Sequence, residues 1–207
     1  MLSTIFYILA LVIVVTIHEC CHAVVAEKLG DPTAKIAGRI SLNPLAHLDL
    51  IGTLMLFLVH IGWGKPVPVN PSYFKHPKRD EALTALAGPF SNLLLAIILS
   101  IPLKYFALVM PAELFQFLST VLDVALVLFI FNMLPFPPLD GSKILEFFVP
   151  KRFQRMYQNY LQNGMLYFAI FMLFDQFILA PIFQFSILQS FIGTIFTFLR
   201  TVIFLGT

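Results

Sequence analysis

The sequence predicts an all-α polytopic membrane protein with about five full transmembrane helices. Of its 207 residues, 59% are hydrophobic and only 12% are charged, whereas a soluble domain has about twice that charged fraction. Several apolar segments are close to the ~20 residues that a helix needs to cross a bilayer. A shorter apolar segment between the first two spans predicts a re-entrant or short-strand element. We therefore expect contact with the lipid bilayer, and no binding of nucleic acid because the sequence lacks a basic-aromatic pattern.

The N-terminal region predicts one long helix followed by irregular or strand-like segments. Residues 2–29 form an apolar run that Gly30-Asp31-Pro32 ends, since glycine suits a C-cap and proline cannot continue a helix. The run has no basic start and no clear cleavage site, so we interpret it as a retained transmembrane helix. Loose alternation over residues 33–42 predicts a short strand. The two prolines within residues 65–69 allow an edge strand at most.

The rest of the chain alternates apolar spans with sharp breaks at proline and glycine. We predict helices over residues 80–109 and 114–134, a short surface helix over 142–149, a basic and aromatic interfacial helix over 151–160, and two further spans over 161–179 and 182–199.

Two histidines and a glutamate lie inside the first apolar run, where each charge held at the bilayer centre costs about 2.5–3.5 kcal/mol. They belong to His18-Glu19-Cys20-Cys21-His22. His18 and His22 share a helical face because side chains at i and i+4 stack. This H-E-x-x-H pattern is typical of two imidazoles that bind one metal, with the glutamate as general base. The alternative is a pair of hydrogen-bonded histidines that pack between helices, and we interpret Cys20 and Cys21 as packing residues.

A catalytic zinc site usually has three protein ligands and an open position for water, so a third ligand must come from another segment. We favour Asp140, which follows three prolines and precedes Gly141, because irregular backbone at membrane depth is tolerated only beside a cavity or inside protein. The alternative role for Asp140 is the N-cap of the next helix. The remaining candidates are His47, for which a turn role is simpler, Asp123, Asp175, His60 and Cys20.

Two asparagines are further candidates for the site. Asn92 follows small residues at helical spacing, which permit close helix packing. Its amide either donates a hydrogen bond to a developing oxyanion or bonds to a neighbouring helix. Asn132 precedes Pro135 and either satisfies the carbonyls that this proline frees or faces the site.

The charge distribution predicts the topology. If Asp140 shares a site with His18, the first helix and the 114–134 helix run in the same direction, and the 80–109 helix runs opposite to both. The 48–61 segment, about 14 residues long, is then re-entrant. This arrangement puts twelve of the thirteen basic residues on one side and only Lys104 on the other, so the side that carries the site should be cytoplasmic. A full span over 48–61 is the alternative and would weaken this asymmetry.

Three motifs together resemble the site-2 protease family, the intramembrane zinc metalloproteases of peptidase family M50. Besides the H-E-x-x-H motif, Gly88-Pro89-Phe90-Ser91-Asn92 is similar to the family's G-P-x-x-N motif, and the stretch from Asn132 to Gly141 to its N-x-x-P-x-x-x-x-D-G motif. The order and spacing of all three agree with the family over roughly residues 10–150. The chain resembles the compact prokaryotic members without PDZ or CBS domains.

The resemblance implies a catalytic membrane core over residues 1–150, followed by a basic interfacial segment and two transmembrane helices over 151–207. It implies one Zn²⁺ per chain bound by His18, His22 and Asp140, with Glu19 activating the water. It further implies that Asn92 helps to hold the substrate or the transition state. The expected substrate is a transmembrane protein or peptide, cleaved in a prokaryotic cell membrane with the active site toward the cytoplasm.

Two other classes of protein are compatible with a histidine pair in a membrane helix. A metal transporter or channel should carry ligands along a pathway to both sides, whereas the candidates here cluster near one side. An inactive relative that only binds membrane partners should lack Glu19 or a ligand, and none is missing. The sequence therefore favours the protease.

Overall fold

A computed structural model of the chain describes residues 2–49, 52 and 64–206. Five of its helical stretches are long and apolar enough to cross a membrane: Leu2–Lys28, Pro77–Tyr105, Ala112–Asn132, Lys151–Phe183 and Ile187–Gly206. The predicted all-helical class with about five spans is therefore confirmed. Within the described residues there is no sheet, and one isolated antiparallel bridge joins Leu48 to Gly64.

In chain order the helices are α1 (Leu2–Lys28), α2 (Thr33–Ile36), α3 (Pro77–Tyr105), α4 (Ala112–Asn132), α5 (Asp140–Phe148), α6 (Gln154–Phe174), α7 (Ala180–Phe183) and α8 (Ile187–Gly206). From α3 onward the helices follow one another with short connections, whereas 40 residues separate α2 from α3. Three 3-10 turns lie at Pro44–Ala46, Pro71–Tyr73 and Lys151–Phe153, and a π-helical turn at Asp175–Leu179 connects α6 to α7. At 1.5 Å per residue, α1 and α3 are each about 40 Å long and exceed the hydrocarbon thickness of ~30 Å.

Helices α1, α3 and α4 pack against one another around one apolar cluster. The helices α1 and α3 are antiparallel, because His22 contacts Thr84 while the earlier His18 contacts the later Asn92. The helices α1 and α4 run in the same direction, since aromatic rings near their first residues are in contact. These are the relative helix directions that we predicted for a site shared by His18 and Asp140.

Small side chains at the helix contacts explain why the three helices approach closely. Each helix contributes a fully buried alanine to the shared cluster: Ala10, Ala96 and Ala125. Leu122 and Leu126 of α4 fill the space between them and are also fully buried. Close approach through small residues is how helices associate in lipid, where apolar burial alone gives little driving force.

The segment after α1 differs from the prediction. Residues 33–42 were expected to form a strand, but Thr33–Ile36 is a short helix. The buried Asp31 carboxylate accepts hydrogen bonds from the backbone N–H and the hydroxyl of Thr33, at 2.9 and 2.5 Å. This local capping starts a helical turn, which ends at Gly38 with φ of 68°. The strand prediction for 33–42 was therefore wrong.

The predicted re-entrant element lies almost entirely outside the described residues. Of the 48–61 segment, the structure describes Leu48, Asp49 and Gly52. The neighbouring stretch 65–70 has no regular secondary structure. It is fixed at both ends, since Lys65 donates its N–H to the His47 carbonyl at 2.8 Å and Asn70 donates its N–H to Asp31 at 2.7 Å.

The predicted interfacial helix over 151–160 is not a separate element. Residues Lys151–Phe153 form a 3-10 turn, and one continuous helix then runs through the predicted boundary. The tyrosine hydroxyls on this face donate to backbone carbonyls, Tyr157 to Ser142 at 2.6 Å and Tyr160 to Pro135 at 2.8 Å. Tyr157 therefore bonds to the first turn of α5, and Tyr160 to the connection between α4 and α5.

The last helix joins the core through an ion pair within the membrane-spanning segments. The Arg200 Nε of α8 lies 3.0 Å from an Asp123 carboxylate oxygen of α4. This places Arg200 inside a span, so it does not serve as the flanking cytoplasmic charge that the topology count assumed. Asp175 is fully buried and accepts hydrogen bonds from Ser186 and from the N–H of Ile187, and thereby caps α8.

Candidate metal centre

Two histidines of α1 and one aspartate from the start of α5 converge at the site. The Nε2 atoms of His18 and His22 are 3.0 Å apart. They lie 3.2 and 3.3 Å, respectively, from the same carboxylate oxygen of Asp140. Both histidines are buried. Among the described residues, this is the one group of three or more histidine, cysteine or acidic side chains whose ligand atoms lie close enough to share a metal ion.

Asp140 reaches the histidines because the chain breaks sharply after α4. Three prolines separate α4 from α5, and Asp140 is the first residue of α5. A Cβ atom at Gly141 would collide with the carbonyls of Met133 and Leu134, so only glycine lets this turn fold back so closely. Leu139, and not Asp140, occupies the N-cap position, and no side-chain capping bond is formed. The alternative of a capping role for Asp140 is thus not supported.

The charge state of Asp140 suits ligation. Burial alone disfavours a carboxylate, but the two imidazoles beside it outweigh burial and hold the pKa of Asp140 below the usual value for aspartate. The start of a helix also favours a negative charge. Asp140 is therefore a carboxylate at neutral pH, the form that a metal ligand requires.

One face of α3 supports both histidines from behind. Thr84, Gly88 and Asn92 are spaced four residues apart and so lie on one helical face. The Thr84 carbonyl lies 2.6 Å from His22 Nδ1, and the Asn92 side-chain amide lies 3.1 Å from His18 Nδ1. Gly88 lies between them, where a Cβ atom would come within 3.0 Å of both rings.

The donor set and its spacing fit zinc. Two imidazoles and one carboxylate with an open fourth position are a common ligand set for catalytic zinc. Two atoms bound to one tetrahedral zinc at about 2.0–2.1 Å are about 3.3–3.4 Å apart, close to the separations of 3.0, 3.2 and 3.3 Å seen here. Since a carbonyl only accepts hydrogen bonds, His22 carries its proton on Nδ1 and offers the Nε2 lone pair to the metal.

A cavity of about 170 Å³ opens beside these ligands. It is lined by all three candidate ligands and by Glu19, Pro66, Val67, Val69, Glu81, Thr84, Ala85, Asn132, Pro138 and Lys143. Glu19 follows His18 in α1 and is half-buried. Pro89 has no N–H to donate to the carbonyl of Ala85, so a polar backbone atom is left without its helical partner at this wall.

Comparison with known proteins identifies the family. A profile described as Peptidase family M50 matches residues 105–175. A relative in Bacillus subtilis (strain 168), named "Putative zinc metalloprotease YwhC", is 44% identical over 152 residues, which are 70% of this chain and 69% of the relative. The chain belongs to peptidase family M50, the site-2 protease family. The resemblance inferred from the three motifs is confirmed.

Mycobacterial relatives of this M50 chain are more distant. "Putative zinc metalloprotease Rip2" of Mycobacterium tuberculosis (strain ATCC 25618 / H37Rv) is 32% identical over 136 residues, or 63% of this chain and 52% of the relative. The protein of the same name from Mycolicibacterium smegmatis is 31% identical over 165 residues, or 76% of this chain and 62% of the relative. The chain thus spans between half and two thirds of the Rip2 sequences. No solved structure matches it.

Other candidate ligands lie away from the M50 metal centre. His47 is fully buried, and its Nε2 is 2.7 Å from the Ser41 carbonyl, in agreement with a role in the turn. Asp123 pairs with Arg200 and Asp175 caps α8. Cys20 is a half-buried free thiol, and His60 lies outside the described residues.

The two asparagines are placed differently from each other. Asn132 lines the cavity and donates to the Leu128 carbonyl at 3.0 Å. Asn92, expected to hold the substrate or the transition state, is fully buried and lies against His18. Of the two asparagines, Asn132 is the one that lines the cavity.

Several site residues were not found from the sequence. Thr84 supports His22 through its backbone carbonyl, and the type of side chain at a position does not reveal such a contact. The position of Thr84 four residues before Gly88 was the available signal. Glu81 and Lys143 line the cavity one turn from Ala85 and Asp140. Lys143 is three residues after the predicted ligand Asp140, so helical spacing was the available signal for it.

Proposed function

We propose that this M50 member is an intramembrane zinc metalloprotease that hydrolyses peptide bonds of transmembrane or membrane-proximal segments. One observation carries the proposal: three potential ligand atoms from α1 and α5 lie within 3.3 Å of one another beside a cavity that Glu19 also lines. His18, His22 and Asp140 would hold one Zn²⁺. When bound, zinc supplies Lewis-acid activation of water and of the scissile carbonyl.

Glu19 is the proposed general base. Glu19 directly follows His18 and lines the cavity. There its carboxylate can take a proton from the attacking water and pass it to the leaving amine. Asn132 and Lys143 offer hydrogen-bond donors to the same space. A transporter would need ligands along a path, and among the described residues only His18, His22 and Asp140 form a group that could share a metal ion.

The stretch 65–69 is the proposed contact for an extended substrate. Pro66, Val67 and Val69 line the cavity. No hydrogen bond joins the backbone N–H of Val67 or Val69 to another described residue. These groups are therefore available to bond a substrate backbone as an added strand. We also propose that the preceding 48–61 segment is re-entrant and completes this wall.

The site is proposed to face the cytoplasm of a prokaryotic cell. With Arg200 set aside because it forms an ion pair between two helices, eleven of the twelve other basic residues belong to the ends and connections on the side of the site, and Lys104 belongs to the opposite side. This asymmetry predicts the orientation through the positive-inside rule. Water reaches the site from that side.

The test compares the wild-type protein with Glu19→Gln. Both are purified in the same detergent, and the zinc content and the cleavage of a transmembrane peptide are measured. We expect about one zinc per chain in each and cleavage only in the wild type, because the glutamine amide cannot accept the proton. Equal cleavage by the two proteins would refute the assignment of Glu19, and a zinc-free, active wild type would refute the metalloprotease.

A further inference from the structure

We propose that Asn92 is a positioning residue for His18: its side-chain oxygen accepts a hydrogen bond from Nδ1–H and so keeps the Nε2 lone pair directed at the metal. The inference rests on the proposed zinc function and deepens it. It assigns Asn92 to the support of a ligand, not to contact with the substrate.

The location of Asn92 carries the first part of the argument. Its side chain is fully buried between α3 and α1, and it is not among the described residues that line the cavity. The side-chain amide lies 3.1 Å from His18 Nδ1, measured from its nitrogen. The amide oxygen has no hydrogen-bond partner among the described residues. The contact of Asn92 with the site is therefore made through His18.

The chemistry of the two histidines decides which amide atom faces the ring. A half-turn of the amide exchanges its oxygen and nitrogen with almost no change in shape. If the nitrogen donates to Nδ1, a neutral His18 carries its proton on Nε2, the atom that lies 3.2 Å from Asp140 and 3.0 Å from His22. A protonated Nε2 cannot ligate a metal. If the oxygen faces Nδ1, His18 has its proton there and its Nε2 lone pair is free.

His22 supplies an internal reference for this choice. Its Nδ1 faces the Thr84 carbonyl, which can only accept, so His22 already has Nδ1–H and a free Nε2. Asn92 lies eight residues after Thr84, on the same face of α3. With the oxygen of Asn92 toward the ring, α3 presents two acceptors to two Nδ1–H groups, and both Nε2 lone pairs converge on the position beside Asp140.

The expected size of the effect follows from other metal sites, where loss of the group that orients a ligating histidine costs about 10–100-fold in metal affinity. Asn92→Leu removes the acceptor at similar volume. Asn92→Asp keeps an acceptor and removes the donor, so it distinguishes the role of the amide oxygen from that of the amide nitrogen. Ser100→Ala is the matched control, because Ser100 is also fully buried on α3 and, among the described residues, its hydroxyl bonds only to the Ile97 carbonyl.

The experiment measures the zinc dissociation constant of each full-length protein by competition with a chromophoric chelator. The visible spectrum of the Co²⁺-substituted proteins reports the ligand geometry. We expect Asn92→Leu to bind zinc about 10–100-fold more weakly, with an altered cobalt spectrum. Asn92→Asp and Ser100→Ala should stay within about threefold of the wild type, and recovery by Asn92→Asp shows that the leucine effect is not general misfolding.

Two results would overturn the inference alone. One is wild-type zinc affinity in Asn92→Leu, and the other is an equal loss of affinity in Asn92→Asp and Asn92→Leu. If Asn92→Asp instead retained zinc but lost cleavage, the amide nitrogen would act on the substrate and the positioning role would be insufficient. A wild-type protein that binds no zinc would contradict the proposed function itself.

Discussion

Gly88→Ala tests the packing of α3 against the metal ligands. A Cβ atom at this position would come closest to Nε2 of His22, and would lie 2.6 Å from Cε1 of His22 and 2.7 Å from Cε1 of His18, whereas ordinary contact begins at 3.4 Å. The rings must therefore move by at least about 0.7–0.8 Å, or α3 must withdraw from α1, at about 1–3 kcal/mol for overpacking. The rings have little freedom to move, because Thr84 and Asn92 hold their Nδ1 atoms from behind.

A displacement of this size exceeds the ~0.5 Å that a functional site tolerates, and a misplacement of 1 Å can cost about 100-fold in rate. We expect Gly88→Ala to lower peptide cleavage about 100-fold and to weaken zinc binding. Both are measured on purified protein beside Gly193→Ala, a control in α8 whose added methyl meets no atom within 4 Å. Wild-type zinc affinity and cleavage in Gly88→Ala would refute the close contact of α3 with the two histidines.

Two further predictions concern the cavity wall and the last helix. Val67→Asp places a charge in the wall proposed to bind substrate, and should slow cleavage at least ~10-fold while zinc content is unchanged. The same change at the exposed Val109 should have no effect, and normal cleavage by Val67→Asp would exclude this wall from substrate binding. Asp123→Leu leaves Arg200 without its partner inside a span, so it should destabilise the protein to thermal unfolding by about 2–3 kcal/mol. Adding Arg200→Leu should recover most of that loss, and a double variant no more stable than Asp123→Leu would show that the loss does not come from the unpaired arginine.

The site was predictable where side-chain identity and spacing carry the chemistry. His18 and His22 at a spacing of four needed only the geometry of a helix to share a face. Asp140 was recognisable because prolines and a glycine surround it at a helix break. The five apolar spans followed from segment length and composition. In lipid, an apolar segment of this length forms a helix because its backbone polar groups must bond within the segment.

The errors arose where a single side chain controls the local backbone. Asp31 converts an alternating stretch into a helical turn by capping Thr33, and a weak period-two pattern does not contain that information. Tyr157 and Tyr160 were assigned to a separate helix, but the helix continues past them, and their hydroxyls bond to the carbonyls of Ser142 in α5 and of Pro135 before it.

The groups behind the ligands were the hardest to predict. The Thr84 carbonyl is a backbone group and occurs at every residue, so only the fold selects it. Asn92 was recognised as important, but its partner depends on how α3 packs against α1. Tertiary contacts of this kind have no counterpart in the local sequence.

Zinc-edge X-ray absorption on the purified wild-type protein tests the metal centre most directly. Two imidazoles and the Asp140 carboxylate predict a nitrogen and oxygen shell at about 2.0–2.2 Å, with the multiple scattering of two histidine rings. Asp140→Ala should keep the histidine signature and lose one light ligand. A sulfur shell at about 2.3 Å, from Cys20 or Cys21, would contradict the assignment of His18, His22 and Asp140 as the ligands.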